Sequence, residues 1–509
     1  MKKQYFILAV AAIAVLSGCT KENDGATFTA TIEQSDAKTV LNGNNNNVHW
    51  ETGDQISVNG VTYTAAPDAA NNAKATFSKA PGDQEDPALV NDLYKAYYPS
   101  TLYNGGTPTL PAMQIYEGGK ISNLPMYAES DNHTLAFKNL CAVLAITVQQ
   151  SQMTKVKSIT VKANGKQLNG AFTVSDYSTT PTIDFSSSST SDAADTMVTL
   201  FMETAVTIPT GGQTFYIAIP AGTYPSLSIE VFGKANDGTE KTIAKRMRST
   251  SSVTVARSNI YGVTFSGTKV TSGIALVKSS SGRSSCTWVQ LYNGGPLWAK
   301  FNVGATITDY ASANGTTNAT KYTTDNVGGL YCWGGTRNVN KREDLTAAVS
   351  GTDYYSGAHS GNLTSTEDMA TQLWGSNWRL PTKSELTALQ DGADNIGSTG
   401  TYNGTNHKWT GCTGSSSHQY VSGCTLPGYK VAGRASGYTS NNIFLPEAGY
   451  FSNTDHEVTE LSHGDFWSST PISSDNANAY FLYWRTDHQG VTDSYRYTGR
   501  SVRAVLAVD

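Results

Sequence analysis

The stretch Ala142-Val143-Leu144-Ala145-Ile146-Thr147-Val148 constrains the fold of this chain more than any other, because it is apolar on both faces. A strand with one wet face alternates apolar and polar side chains; a strand without that alternation is buried on both sides. Another pattern stands near the start, where Phe28, Ala30 and Ile32 alternate with Thr27, Thr29 and Thr31, the period of a half-buried strand. Charged residues make up only 15% of the chain, and Thr and Tyr recur between Gly and Asn turns. That composition predicts mostly β structure.

At 509 residues the chain is long enough for three domains of ordinary size. Residues 1–267 carry 19 basic and 22 acidic side chains and residues 268–509 carry 17 and 19, so the net charges of -3 and -2 sum to the formal -5. Neither half is basic enough for nucleic acid, and no nucleic-acid partner is expected. Six cysteines are present, none in a C-x-x-C pair, so zinc and redox motifs are not expected. Cys412 and Cys424 can bridge a short loop, worth about 3 kcal/mol, and Cys286 with Cys332 is a second pairing. Cys141, among apolar neighbours, is the odd one out. The alternative, that all five cysteines after Cys19 stay reduced, remains open at this point.

Lys2 and Lys3 precede an apolar run, Phe6 to Leu16, of 11 residues. That is too short to span a bilayer as a helix and right for a signal peptide. It ends in Leu16-Ser17-Gly18-Cys19, which resembles the lipobox of bacterial lipoproteins. The resemblance implies a signal peptide over 1–18, lipidation of Cys19 and a lipidated tether over 19–26. Two acyl chains on one cysteine satisfy the requirement of stable anchoring, at about 0.8 kcal/mol per buried methylene. Lys21, Glu22 and Asp24 resemble a surface-export signal, so the expected location is the outer membrane and cell surface.

Four blocks in order resemble the fimbrillin family of Bacteroidales pilus proteins. They are Lys38-Thr39 with Trp50, Gly53-Asp54, Ile56 and Val58; Leu135 to Leu140 followed by Ala142 to Val148; Phe215 to Tyr224; and Val253 to Tyr261. The resemblance implies two tandem β-sandwiches, over 27–130 and 131–267. It also implies assembly with other fimbrial subunits by donor-strand exchange, in which a protease removes the first strand and a neighbour's strand fills the groove. The strand to be removed is 27–33, whose Phe28, Ala30 and Ile32 leave an apolar slot. Processing in that family follows arginine, yet no arginine precedes Arg246 here, and Lys38 is the nearest basic residue after the strand.

Composition shifts after residue 267, where eight of nine tryptophans and nine of twelve arginines lie. Residues 268–289, with Ser279-Ser280-Ser281-Gly282, read as a linker. Two helices are predicted. One runs from Thr364 to Trp374 with Thr364 and Glu367 as its capping pair. The other spans Lys383 to Gln390, with Thr382 as cap and Glu385 completing the box. Tyr331, Trp333-Gly334, Trp378-Arg379-Leu380-Pro381-Thr382 with Glu385, Leu445-Pro446 with Gly449-Tyr450, Trp467-Ser468-Ser469-Thr470 and Gly499 with Ser501-Val502-Arg503 resemble the C-type-lectin-like superfold. The branch is that of Fibrobacter-type paralogous domains and formylglycine-generating enzymes. The resemblance implies an α+β domain over 290–509 whose loops form a variable ligand surface.

No catalytic residue, cofactor or metal site is expected. The paired cysteines of a formylglycine-generating enzyme would lie nearer the C-terminus, and no Gly-x-Ser-x-Gly, His-Glu-x-x-His or phosphate loop is present. His359, His407, His418, His456, His463 and His488 lack ligand spacing and read as surface residues. The segment 402–463 is rich in Tyr, Asn, Ser and Gly, which suits an adaptable recognition face. Tyr402, Tyr420, Tyr438 and Tyr450 are its candidates for stacking on a glycan or protein ligand, with Trp409 equally suited to a core. The expected function is that of a non-enzymatic fimbrial tip or accessory adhesin. The alternatives are a non-polymerising glycan-binding surface lipoprotein and, less favoured, an enzyme of the formylglycine-generating type.

Overall fold

The computed structural model describes residues 27–33, 48–79, 87–103, 105–118, 121, 124–186, 193–246, 252–278, 283–310, 323–336, 354–359, 361–392, 401–412, 426–452, 457–459, 463–485 and 489–508. The fold is mostly β: among the described residues 49% are in strands and 6% in helices. The leading strand, β1 (Phe28–Ile32), pairs antiparallel with Lys74–Ser78 on one side and parallel with Thr134–Asn139 on the other. Those two strands are joined through Val61–Pro67, Gln55–Val58, Tyr94–Tyr98 and Met126–Ser130, so seven strands close into a barrel. Closure removes the exposed edges that an open sheet presents. Trp50 sits inside, its ring edge-on to Phe77, Tyr98 and Phe137 at 4.9, 5.2 and 5.4 Å.

This arrangement departs from the boundaries expected. Thr134–Asn139, assigned to the second module, is the last stave of the first, because Leu135 and Phe137 point into the Trp50 core. The second body begins at Cys141–Val148, which runs between Gln213–Pro220 (antiparallel) and Ile260–Thr264 (parallel). Its two apolar faces are both covered. Ala142, Leu144, Ile146 and Val148 pack on Ile159, Val161, Ile229 and Val231 of a facing six-stranded sheet. Cys141 and Val143 pack with Tyr97, Leu110 and Phe172 on the other side. One edge of the six-stranded sheet is Met113–Ile115, which leaves the barrel region to run parallel to Met197–Thr207.

The span 268–289, expected as a linker, holds three strands. Thr268–Val270 ends the second body's sheet, while Ser272–Leu276 and Ser285–Gln290 open the C-terminal one. Residues 279–282 lie outside the described residues. The C-terminal sheet continues through Leu297–Ala299 to Val505–Leu506 and Trp378–Arg379, so entry and exit segments share one layer. Phe232 of the second body lies in the same buried cluster as Trp374 and Trp378.

The helix Lys383–Gln390 has the expected capping box of Thr382 and Glu385, and buries Leu386 and Leu389. The other helix is shorter than predicted, Met369–Trp374, and its cap is Asp368 rather than Thr364. Glu367 is already engaged by Thr364 and His359, while Asp368 accepts N–H bonds from Ala370 and Thr371 at 2.9 and 3.1 Å. Much of 402–463 is sheet rather than loop: Thr401–Asn403, His407–Cys412, Gly428–Gly433 and Asn442–Pro446 form a four-stranded antiparallel layer. Trp409 is part of its core. Cys141, Cys286 and Cys332 are free and buried, so the Cys286–Cys332 pairing is not formed. Cys332 instead donates to the Tyr497 carbonyl at 3.0 Å. Cys424 and the Cys412 side chain lie outside the described residues.

Candidate functional site

The site that geometry singles out is the slot filled by β1 (Phe28–Ile32). Period-2 alternation turns Phe28, Ala30 and Ile32 inward, where they are 0%, 0% and 5% exposed. Phe28 lies edge-on to Tyr63 and Tyr94 at 5.0 and 5.1 Å and tilts against His133 at 4.9 Å. Ala30 supplies a small, fully buried side chain between the two larger ones. The main chain is held on both edges: Thr29 N–H donates to His133, Ile32 N–H to Ala73 and Glu33 N–H to Phe137, at 2.9, 3.0 and 2.9 Å. Full burial of a side chain such as Phe or Ile is worth roughly 1.5–3 kcal/mol, so apolar contact and ladder bonds together seat the strand.

A polar clamp closes the slot, and it was not anticipated. Glu33 Oε1 accepts from the Asn139 N–H at 2.6 Å, from the Ser258 hydroxyl at 2.9 Å and from the Arg257 guanidinium. Arg257 also donates to the Asn139 carbonyl at 3.3 Å. Ser258 takes a positive φ of 60°, and its N–H donates to the Cys141 carbonyl at 3.0 Å. The end of the first strand is thereby fastened to the second body by Arg257 and Ser258, 224 and 225 positions away. An acidic residue directly after an inward-facing strand was the one available sequence signal, and it does not identify its partner.

Of the expected site residues, Cys19, Lys38, Tyr420 and Cys424 lie outside the described residues, as do His418, His456 and His488. The three described tyrosines are each held within the fold. The Tyr402 hydroxyl donates to the Asp391 carbonyl at 2.9 Å, Tyr438 is buried with its hydroxyl 3.1 Å from Lys269 Nζ, and the Tyr450 ring lies 5.1 Å from the Arg500 guanidinium. Among the described residues no ring contact joins them into one face. The most exposed aromatic ring among the described residues is Tyr495, 52% exposed and stacked on Tyr497 at 5.0 Å. Tyr495 ends the strand Gln489–Tyr495, and Tyr497 lies in the turn that follows, on the other side of the buried Arg496.

His407, expected at the surface, is fully buried, and neither ring nitrogen has a hydrogen-bond partner. Asp391 is 3.7 Å from the ring, but its Oδ2 is occupied by the N–H groups of Asn406 and His407. Burial pushes the imidazole down to about 4, against a smaller upward pull from Asp391. The folded chain therefore binds fewer protons at His407 than the unfolded chain between that value and about 6.5. Stability from this group is complete above the unfolded value and is lost as pH falls through the window, by up to about 3 kcal/mol. Asp368, raised to about 6 by burial, works in the opposite direction at the acid end. The expected result is a comparison: between about pH 7 and about pH 5 the wild-type melting temperature falls more than that of His407→Phe. Equal slopes in thermal melts would refute the assignment.

No family model and no curated protein matches the chain. Among solved structures it is similar to two putative cell adhesion proteins. The one from Bacteroides ovatus has 16% identity and a TM-score of 0.29 over 48% of this chain and 95% of that one. The one from Bacteroides uniformis has 14% identity and a TM-score of 0.25 over 47% and 93%. A fimbrial protein from Bacteroides ovatus, at 12% identity and a TM-score of 0.18, covers 95% of this chain and 99% of its own. Scores this low carry no argument about the molecule, and the functional reading rests on its own residues.

Proposed function

We propose that this chain is a surface-displayed, non-enzymatic lipoprotein that serves as a fimbrial tip or accessory adhesin subunit. The observation that carries the reading is β1. It is a short strand seated between two strands from later in the chain, with three alternate side chains in an apolar slot. A strand from a neighbouring subunit with the same alternation would restore both ladders and refill the slot. Cys19 would carry the lipid through export, cleavage near Lys38 would release β1, and residues 290–509 would meet a glycan or protein ligand.

Mass analysis of the mature N-terminus on cells tests this. A start close to Thr39 is the expected result. A lipidated Cys19 on the whole population, with immunogold label over the cell body and none at fibre ends, would sink it in favour of a non-polymerising glycan-binding lipoprotein. The Glu33 clamp is the observation that favours this second reading, because it fastens β1 in place.

A further inference from the structure

The clamp at the end of β1 has a chemistry of its own. Three donors converge on a single oxygen of Glu33: a main-chain N–H from Asn139, the Ser258 hydroxyl and the Arg257 guanidinium. None of the three belongs to β1. They come from the end of the barrel strand Thr134–Asn139 and from the turn before Ile260–Thr264. Asn139 is 1% exposed, and its side-chain N–H donates to the Ser258 hydroxyl at 3.2 Å, which fixes the two relative to each other. Arg257 and Glu33 are 19% and 23% exposed, so water reaches the pair without replacing it. Take Glu33 away and the buried Asn139 N–H loses its acceptor, while Arg257 loses its counter-charge. Charge-assisted bonds of this kind are about twice as strong as neutral ones, and leaving a buried donor unmatched adds a penalty.

Resting on the strand-exchange reading, we propose that Asn139, Arg257 and Ser258 form a carboxylate receptor that selects the incoming strand. The partner is an extended segment of a neighbouring subunit with a large apolar residue, a small one and an apolar one at alternate positions, followed directly by an acidic residue. Phe28, Ala30, Ile32 and Glu33 supply that pattern in cis. The apolar slot alone accepts many alternating strands. The receptor fixes register, because a slip by one residue moves the carboxylate off its donors as well as turning the apolar set outward. It also rejects strands with a neutral or basic residue at that place.

The test uses the full chain with a site-specific protease sequence inserted after Gln34 and cut after folding, so that β1 is seated but untethered. Labelled peptides of residues 27–34, with Glu33 or with Glu33→Gln, compete to replace it. The expected result is retention of the Glu peptide at least about tenfold tighter than the Gln peptide, a difference that falls at high salt. In an Arg257→Met chain the ratio should collapse towards one, and in Arg257→Lys it should be intermediate. Equal retention of both peptides by the wild-type chain overturns the receptor and leaves strand exchange standing. Entry by neither peptide overturns strand exchange and the receptor with it. The wild-type comparison decides even where the Arg257 variants do not fold.

Discussion

Replacing Arg503 with Met is expected to lower the stability of the C-terminal body by about 3–5 kcal/mol, the cost of breaking a buried polar network. Arg503 is 1% exposed. Its Nε donates to Asn302 Oδ1 at 2.9 Å, Nη1 to the carbonyls of Ala299 and Lys300 at 3.0 and 2.7 Å, and Nη2 to the Phe444 carbonyl at 2.6 Å. The guanidinium thus ties the entry strand Leu297–Ala299 and the residue after it to Asn442–Pro446 from the exit strand's side. Burial lowers its pKa from the usual arginine value, but a guanidinium starts so far above neutrality that it stays charged. Met fills the volume and leaves the carbonyls without a donor, each orphaned group costing about 1–3 kcal/mol. Arg503→Lys should rescue little, because a point charge with three donors cannot serve acceptors spread around a planar fork. Thermal and denaturant unfolding, read by near-UV circular dichroism of the tryptophan-rich core, checks this. A loss below about 1 kcal/mol would remove Arg503 from its assigned role.

Phe28→Ala should cost about 3–5 kcal/mol, the usual range for truncating a fully buried Phe. The loss should appear first as loosening of β1 rather than as global collapse. Its ring is the largest of the three side chains in the slot and touches Tyr63, Tyr94 and His133. Thr31→Ala, on the exposed face of the same strand, should stay within about 0.5 kcal/mol. Hydrogen exchange at the main-chain N–H groups of Thr29 and Ile32 reads the strand directly, and both should lose protection in Phe28→Ala alone. If protection is unchanged, β1 is held by its ladders and clamp, and the apolar slot does not govern its release. Under the strand-exchange reading the same variant should also speed replacement of β1 by an added peptide.

The features that the residues announced are those set by near neighbours. Phe28, Ala30 and Ile32 face one way because strand geometry alternates every residue, whatever lies beyond. Thr382 and Glu385 close their capping box because both partners sit in one turn of helix. The two-faced burial of 142–148 needed no knowledge of which layers would cover it, only that water could not. The expectations that changed depended on an unseen competitor. Thr364 and Glu367 do pair, but Asp368 takes the cap because Glu367 is shared with His359. Thr134–Asn139 closes the barrel instead of opening the next body because β1 offers it a parallel edge. The tyrosines between 402 and 450 were expected as a recognition face; that the Tyr402 hydroxyl meets the Asp391 carbonyl and that Tyr438 is buried beside Lys269 are contacts no local pattern announces.

Composition, periodicity and local capping by themselves determined that this chain is mostly β, which residues of β1 point inward, and where the helix Lys383–Gln390 starts and stops. Only the tertiary structure decided that β1 closes a barrel, that His407 is stripped of water, and that Glu33 meets Arg257 across 224 positions. The reason is that local rules act through bonds and turns a few residues long. Burial of a charge or closure of a sheet depends on which distant segment arrives alongside, and no pattern within either segment encodes the other's address.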